Sequence, residues 1–256
     1  MTVFNKSLPG SCLVAACLMT SHLPLAGQEA VPLEQPPSPQ AVPAQSTPVA
    51  PKVERVSPGV FRVATDIQLD LKKREISFPA FCNQVEGLVE YALVHENGKT
   101  HESLFRTKIK PRDLQTTLLL ARVQAASGFV ANLWEEKREK MDVSSSRLDI
   151  MVSWKGKDGP HSVSLESMAA NANTKKTIAA GSFVFNGSRF VEDIFMAEQS
   201  GSIVAIYADD TAMVNSGDYD ANNDDVWIAS KEAMPPLDHL VTFTLKFPQK
   251  KVPSKD

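Results

Sequence analysis

Two short stretches contain residues whose types and spacing suit chemistry. The first is HENGKTHES, residues 95–103, in which two histidines and two glutamates surround an Asn-Gly pair. Imidazole nitrogens and carboxylate oxygens bind zinc and also transfer protons. The stretch is therefore a candidate metal or acid–base site, whose members are His95, Glu96, His101 and Glu102.

The same stretch also predicts a β-hairpin. Asn97-Gly98 lies between alternating strands, and this pair favours a two-residue type I′ turn in which both residues have positive φ. Since successive side chains of a strand point to opposite faces, His95 and His101 fall on different faces of such a hairpin and do not chelate one ion. A narrower hypothesis remains for this stretch. His101 next to Glu102, or His95 diagonal to Glu102, would contribute one ligand each to a metal site whose other ligands come from elsewhere in the chain.

The second stretch is SGDYDANNDD, residues 216–225, in which oxygen-bearing side chains alternate as at the start of a calcium loop. The rest of that loop pattern is missing, because Asn223 replaces the turn glycine and Ala229 stands at the twelfth position. A complete EF-hand is excluded, and an irregular calcium site and an Asp/Asn-rich turn anchored by Trp227 remain as alternatives. The candidate ligands are Asp218, Asp220, Asn223, Asp224 and Asp225.

Established catalytic motifs are absent from the sequence. It contains no G-x-S-x-G elbow, P-loop, H-E-x-x-H or dinucleotide fingerprint. Asp209-Asp210, at the end of an apolar run, is a carboxylate pair that binds metal, shares a proton or, as is commoner at a strand end, caps the next turn. We therefore assign no catalytic residue and do not favour an enzymatic function.

The elements that must position these residues are mainly strands. Alternating or fully apolar runs bounded by turn residues predict strands within residues 67–78, 87–94, 147–154, 161–165, 182–188, 201–209 and 239–247. Residues 111–127 differ, because Pro111 suits an early helical position and good helix formers follow, with Gly128 as a stop and a second helical piece at 129–140. The predicted fold class is α+β and mostly β, with antiparallel sheets built from hairpins and one main helix packed on a sheet face.

Composition excludes several classes of function. The net charge of −3 offers no electrostatic footprint for nucleic acid. Cys82 is the only cysteine beyond residue 17, so an internal disulfide, a Cys-ligated iron–sulfur cluster and a two-cysteine zinc site are excluded for the body of the chain. We expect Cys82, in an apolar strand, to be a small buried side chain.

The N-terminal region predicts export. Lys6 followed by a largely apolar stretch that ends in small residues is typical of a signal peptide, here residues 1–27. An alternative interpretation is a lipobox at Val14-Ala15-Ala16-Cys17, in which Cys17 is lipidated and anchors the protein to a membrane. Residues 28–52 form a proline-rich linker, residues 53–247 the folded domain, and residues 248–256 a disordered tail.

The ordered blocks of the domain resemble the YdjY domain of bacterial envelope proteins. The resemblance covers residues 67–247 and rests on the GLVEY, KTHES, GSIVA and NDD-x-W blocks, in that order. It implies a secreted or periplasmic bacterial protein and no particular mechanism. It also places His101, Glu102, Asn223, Asp224, Asp225 and Trp227 among the residues of interest.

These observations lead to three hypotheses for function. The preferred one is a tethered domain that binds a small ligand or an envelope protein, without nucleic acid and with membrane contact only through a lipid anchor. The second is a Ca²⁺- or Zn²⁺-dependent domain with a structural or hydrolytic role, and the third is a structural envelope component. A cleft shared by the KTHES and NNDDVW segments would favour a site, and opposite placement would favour simple turns.

Overall fold

The computed structural model describes residues 50–248 of the chain. The predicted signal peptide with Cys17, the linker up to residue 49 and the tail from residue 249 lie outside this range. The described part is mostly β-structure, with few helices. Its strands are β1 (Val53–Ser57), β2 (Val60–Val63), β3 (Ile67–Asp70), β4 (Glu75–Cys82), β5 (Tyr91–His95), β6 (Ser103–Thr107), β7 (Asp149–Gly156), β8 (Gly159–Ser164), β9 (Ala169–Asn171), β10 (Phe183–Phe185), β11 (Phe190–Val191), β12 (Ile194–Phe195), β13 (Ser202–Ala205), β14 (Val214–Ser216), β15 (Trp227–Ala229) and β16 (Leu240–Lys246); its α-helices are α1 (Pro111–Leu120), α2 (Phe129–Leu133) and α3 (Met196–Ser200).

Twelve of these strands form one branched sheet. Its main path runs β1-β2-β3-β4-β6-β5-β13-β14-β10, while β16, β7 and β8 extend from β4. The sheet branches because β16 pairs along one edge of β4, while β3 and β6 share the other edge. The hairpins predicted at 67–78 and 147–165 form as the antiparallel pairs β3–β4 and β7–β8, and β1–β2 and β2–β3 are antiparallel as well. The pairs β5–β6 and β13–β14 are parallel, so the sheet is mixed.

The period-two pattern predicted for residues 67–78 is the pattern of β3 and β4. In β4 every second side chain from Ile76 to Cys82 is at most 2% exposed. Between the two strands, Oδ1 of Asp70 accepts hydrogen bonds from the backbone N–H groups two and three residues later, at 2.9 and 3.0 Å. Alternation of burial and an Asp-capped turn therefore set this hairpin.

The main core lies where β4, β6, β16 and α1 meet. The ring of Phe243 stacks on Phe78 at 5.8 Å and meets Phe105 edge-on at 5.1 Å between centroids. Leu114 and Leu118 of α1 are fully buried in the same core. The longest α-helix of residues 50–248 thus packs against the sheet core, as the apolar face of its sequence predicts.

Both helical predictions overestimate length. The helix expected over residues 111–127 ends at Leu120, and Arg122 beyond it adopts a left-handed conformation with φ of 59°. Gly128, expected as a stop, precedes α2 with φ of 74°, and α2 covers five residues of the expected 129–140. Ala121 and Val123 still pack on the core, but the left-handed conformation of Arg122 between them ends the helical backbone of α1.

The predicted Asn97-Gly98 hairpin is wrong. β5 and β6 are parallel neighbours, with Tyr91 opposite Ser103 and His95 opposite Thr107. Neither Asn97 nor Gly98 has positive φ, although a type I′ turn requires it at both positions. A short connection ending in a 3₁₀ turn carries the chain back instead.

Contacts on both sides of this connection explain the parallel return. Gly98 packs so closely on Gly201 that a Cβ atom on Gly201 would lie 2.8 Å from Cα of Gly98. On the other side, Nδ2 of Asn83 donates to the carbonyl oxygen of Ser103 at 2.8 Å. These tertiary contacts override the local preference of Asn-Gly.

None of the helices within residues 50–248 has the length and apolar character needed to cross a membrane.

Candidate functional site

A pocket of about 340 Å³ lies between α2, the segment after β13 and the start of β5. This volume is in the range of small-molecule sites. The side chains that give the pocket its chemistry are Glu90, Tyr91, Lys99, Trp134, Tyr207 and Asp209.

Three backbone hydrogen bonds fix Glu90 at the meeting point of separate chain segments. Its N–H donates to the carbonyl oxygen of Glu102 at 2.9 Å. Its carbonyl oxygen accepts from the N–H groups of Ile206 and Tyr207 at 2.8 and 2.9 Å. The Cα position of Glu90 is therefore set before any ligand arrives.

The carboxylate of Glu90 has no hydrogen-bond or ion-pair partner within residues 50–248, although the residue is half-buried. Burial raises the pKa of this carboxyl above its ordinary value, and the charge of Glu102 raises it further. Lys99 acts in the opposite direction, while Asp224 and Asp209 add to the rise of the pKa. The pocket thus holds a negative charge that the protein leaves unpaired.

A chain of hydrogen bonds runs along one wall. Nζ of Lys99 donates to the Tyr91 hydroxyl at 2.6 Å, and that hydroxyl donates to Oδ2 of Asp209 at 2.9 Å. Tyr91 is 1% exposed, so burial first and the Asp209 charge second hold the pKa of its phenol far above the ordinary value. Asp209 also accepts from the backbone N–H and hydroxyl of Thr211, which confirms its expected role as a turn cap.

Two aromatic rings form the outer wall. Trp134, directly after α2, meets Tyr207 edge-on with centroids 5.5 Å apart and an interplanar angle of 88°. The Trp134 residue is 50% exposed, which is unusual for a tryptophan without a ligand or partner. The perpendicular rings present a face and an edge to the same space.

The acidic stretch 216–225 forms a turn whose side chains serve protein donors. Oδ2 of Asp218 accepts from the N–H of Ala179 at 2.8 Å, and Oδ2 of Asp220 accepts from Nδ2 of Asn171 at 2.7 Å. Trp227 is 1% exposed and anchors this turn through Nε1, which donates to the carbonyl oxygen of Asp220 at 3.1 Å. The expected anchoring role of Trp227 is confirmed.

Asn223 also serves a protein donor. Oδ1 of Asn223 accepts from the backbone N–H of Asp225 at 3.1 Å. Across residues 50–248 no group of three or more His, Cys, Asp or Glu side chains is placed to hold a metal ion.

The histidines of the first stretch lie apart from one another. The His101 side chain is 79% exposed, with Nε2 3.5 Å from Glu102. His95 lines a separate small pocket with Lys110 and Glu198, and its Nδ1 accepts a hydrogen bond from the N–H of Asn97 at 3.2 Å.

The two predicted stretches approach each other only through the segment that contains Glu90. Glu90 bonds to the backbone of Glu102, and the N–H of the preceding Val89 donates to the carbonyl oxygen of Trp227 at 3.0 Å. Glu102 and Asp224 both raise the pKa of Glu90, so each stretch supplies one charge near the pocket. His101, Asp218, Asp220, Asn223 and Asp225 do not line it.

Sequence reasoning missed Glu90, Trp134 and Tyr207 as site residues. The available signal for Glu90 was a carboxylate inside the otherwise apolar run GLVEYALV, where an exposed strand face does not account for it. Trp134 and Tyr207 carried no local signal, because each belongs to a different predicted element.

The domain also has one recognisable relationship to known proteins. The profile of the YdjY domain matches residues 67–246, which includes every pocket residue named above. No curated protein and no solved structure matches the chain. Because the match spans well over half of the 256 residues, the chain belongs to the YdjY domain family.

Proposed function

We propose that the protein is an exported, tethered binding domain that holds a small ligand in the pocket around Glu90. One observation carries this proposal: a half-buried carboxylate, fixed by three backbone hydrogen bonds, has no partner within residues 50–248. An unpaired charge that is partly shielded from water costs some stability, and a partner arriving from solvent offsets that cost. Residues retained at such a cost are typical of binding sites.

The N-terminal pattern supports the location part of the proposal. A signal peptide at residues 1–27, followed by a proline-rich linker at 28–52, suits a domain held away from a membrane or a chain terminus. The lipobox ending at Cys17 would provide the membrane anchor. Fractionation of cells that express wild-type protein or Cys17→Ser tests the location and the anchor. Membrane association that is present in wild type and lost in the variant would mean that Cys17 is lipidated.

Thermal shift of the full-length protein tests the binding part. The panel contains amines, neutral saccharides and dicarboxylates, each tested on wild type, Glu90→Gln and Trp134→Ala. Two matched controls replace the same residue types outside the pocket: Glu86→Gln, whose carboxylate pairs with Lys231 at 3.0 Å, and Trp154→Ala, whose ring stacks on His161.

We expect one ligand class to raise Tm of wild type and both controls but not of the two pocket variants. A panel without any such class contradicts the proposal. A shift that survives in both pocket variants also contradicts it, because the ligand would then bind elsewhere.

A further inference from the structure

We propose that the pocket takes an organic cation, with a primary or quaternary ammonium group held between the Glu90 carboxylate and the Trp134 and Tyr207 rings. This inference rests on the proposed function and specifies the ligand class of the same site. It follows from the net charge of the lining, from the hydrogen-bond and ion-pair partners of each charged side chain, and from the aromatic wall.

The charged lining of the pocket has an excess of negative charge. It contains three carboxylates, of Glu90, Asp209 and Asp210, and one ammonium group, of Lys99. Glu102 and Asp224 lie close enough to act on Glu90 electrostatically, and both are also acidic. An anionic ligand entering here would meet net repulsion at short range, whereas a cation would be attracted.

Most of these charges are already engaged by protein groups. Asp209 accepts from Tyr91 and Thr211, and Asp210 lies 3.1 Å from Nε of Arg189. Nζ of Lys99 contacts the Tyr91 hydroxyl and lies 3.8 Å from Glu102. Among the charged side chains of this lining, Glu90 is the one without a hydrogen-bonded or ion-paired partner in residues 50–248, so it is the point at which a ligand cation would bind.

The aromatic wall suits the same ligand. A cation over an aromatic face is attracted by the ring quadrupole, and tryptophan provides the strongest such interaction. Trp134 and Tyr207 stand at 88° to each other beside the carboxylate, so an ammonium group with methyl or methylene substituents meets an apolar wall and a charge together. The one protein cation of the lining, Nζ of Lys99, lies at the hydroxyl end of Tyr91, at 4.7 Å from the ring centroid, and leaves the Trp134 and Tyr207 rings to a ligand.

Calorimetric titration of the full-length protein with choline and with putrescine tests the proposal, with glucose and succinate as neutral and anionic probes. We expect a Kd for at least one of the two cations that Glu90→Gln weakens by about tenfold or more. Trp134→Ala should weaken it by about fivefold. Glu86→Gln and Trp154→Ala should leave it unchanged.

Lys99→Met provides a test of opposite sign. This variant removes the one positive charge of the lining, so cation binding should tighten by about threefold or more. Circular dichroism and Tm establish that each variant is folded. The Glu90 side chain makes no hydrogen bond in residues 50–248. Its replacement by glutamine therefore leaves the three backbone hydrogen bonds of this residue intact.

Three results would overturn the proposal. Unchanged cation affinity in Glu90→Gln excludes the carboxylate as the binding group. Binding of glucose or succinate that depends on Trp134, without cation binding, overturns the ligand class but leaves the pocket as a binding site. Absence of binding by all four probes overturns the ligand class, and an equally negative thermal shift panel then overturns the proposed function as well.

Discussion

At the scale of single residues, the pocket contains a carboxylate whose charge lowers the stability of the folded protein. In the sequence Glu90 stands between Val89 and Tyr91, both 1% exposed, and its carboxylate has no ion-pair partner in residues 50–248. Asp209, by contrast, is surrounded by donors from Tyr91 and Thr211. Two carboxylates of one pocket thus differ in their hydrogen-bond partners.

Removing the charge of Glu90 should therefore stabilise the ligand-free protein. The pKa of this carboxyl is raised in the folded state, so stability falls as pH rises from its ordinary value of 4.5 through the raised value. At neutral pH Glu90→Gln avoids this loss, and we expect Tm to increase by about 1–2 °C. The gain should shrink as pH falls below 4.5, where the wild-type carboxyl becomes mostly protonated in both states.

Thermal melts of wild type and Glu90→Gln at several pH values measure this effect. Glu86→Gln is the control, because Glu86 is exposed and ion-paired with Lys231 and should give no such gain. A lower Tm for Glu90→Gln at neutral pH would mean that the carboxylate is compensated in the folded protein.

At the same scale, the acidic turn should depend on its hydrogen bonds and not on an ion. Asn171 is 4% exposed, donates to Asp220 and accepts from two backbone N–H groups, of Asn173 and Thr174. We expect Asn171→Ala to lower the free energy of unfolding by about 1–3 kcal/mol, because three part-buried hydrogen bonds of the Asn171 side chain are lost. Addition of a chelator should leave Tm of wild type unchanged, and a fall in Tm would support the calcium or zinc hypothesis instead.

At the scale of elements, the crossover between β5 and β6 depends on two glycines in contact. Gly201 has φ of 74° and its missing Cβ would lie 2.8 Å from Gly98. Gly128 has the same φ, but nothing lies within 4 Å of the position that its Cβ would take. Replacing Gly201 or Gly128 by alanine therefore imposes the same backbone strain, and only the replacement of Gly201 adds a steric clash.

Gly201→Ala should lower the free energy of unfolding by about 3 kcal/mol or more, since strain and a backbone clash combine. Gly128→Ala should cost about 1 kcal/mol, the value expected for the left-handed conformation alone. Denaturant unfolding of both variants measures the difference. Equal losses would mean that the crossover moves to accommodate the methyl group.

The elements also show how far the sequence predicts this fold. β3, β4 and β16 follow from their own alternating residues, because the signal lies within each strand. The parallel order of β5 and β6 does not, because it depends on Gly201 and Asn83, which are distant in sequence from Asn97-Gly98. The pocket was missed for the same reason: Glu90, Trp134 and Tyr207 meet only through long-range packing.

At the scale of the whole described domain, Cys82 reports on global opening. It lies in β4, which pairs along both edges, and it is 0% exposed. Burial first, with the charge of Asp238 second, raises the pKa of its thiol to about 11. Both effects suppress the reactive thiolate, so reaction with a thiol reagent requires separation of the sheet.

A variant with Cys12→Ser and Cys17→Ser isolates this thiol. We expect its reaction with Ellman's reagent in the native state to be at least about 100-fold slower than in denaturant, because the thiolate forms only in opened molecules. Comparable rates in the two conditions would show that β4 opens locally without unfolding of the sheet.

The position of β1 has a mechanical consequence. β1 begins at Val53, directly after the linker sequence, and along the sheet it pairs with β2 alone. Tension applied through the N-terminal chain is therefore carried first by the few hydrogen bonds that start at the Val53–Val63 pair, whereas β5 and β13 beside the pocket lie beyond β4. Under such tension, β1 separates from β2 and lengthens the N-terminal chain before force reaches the pocket.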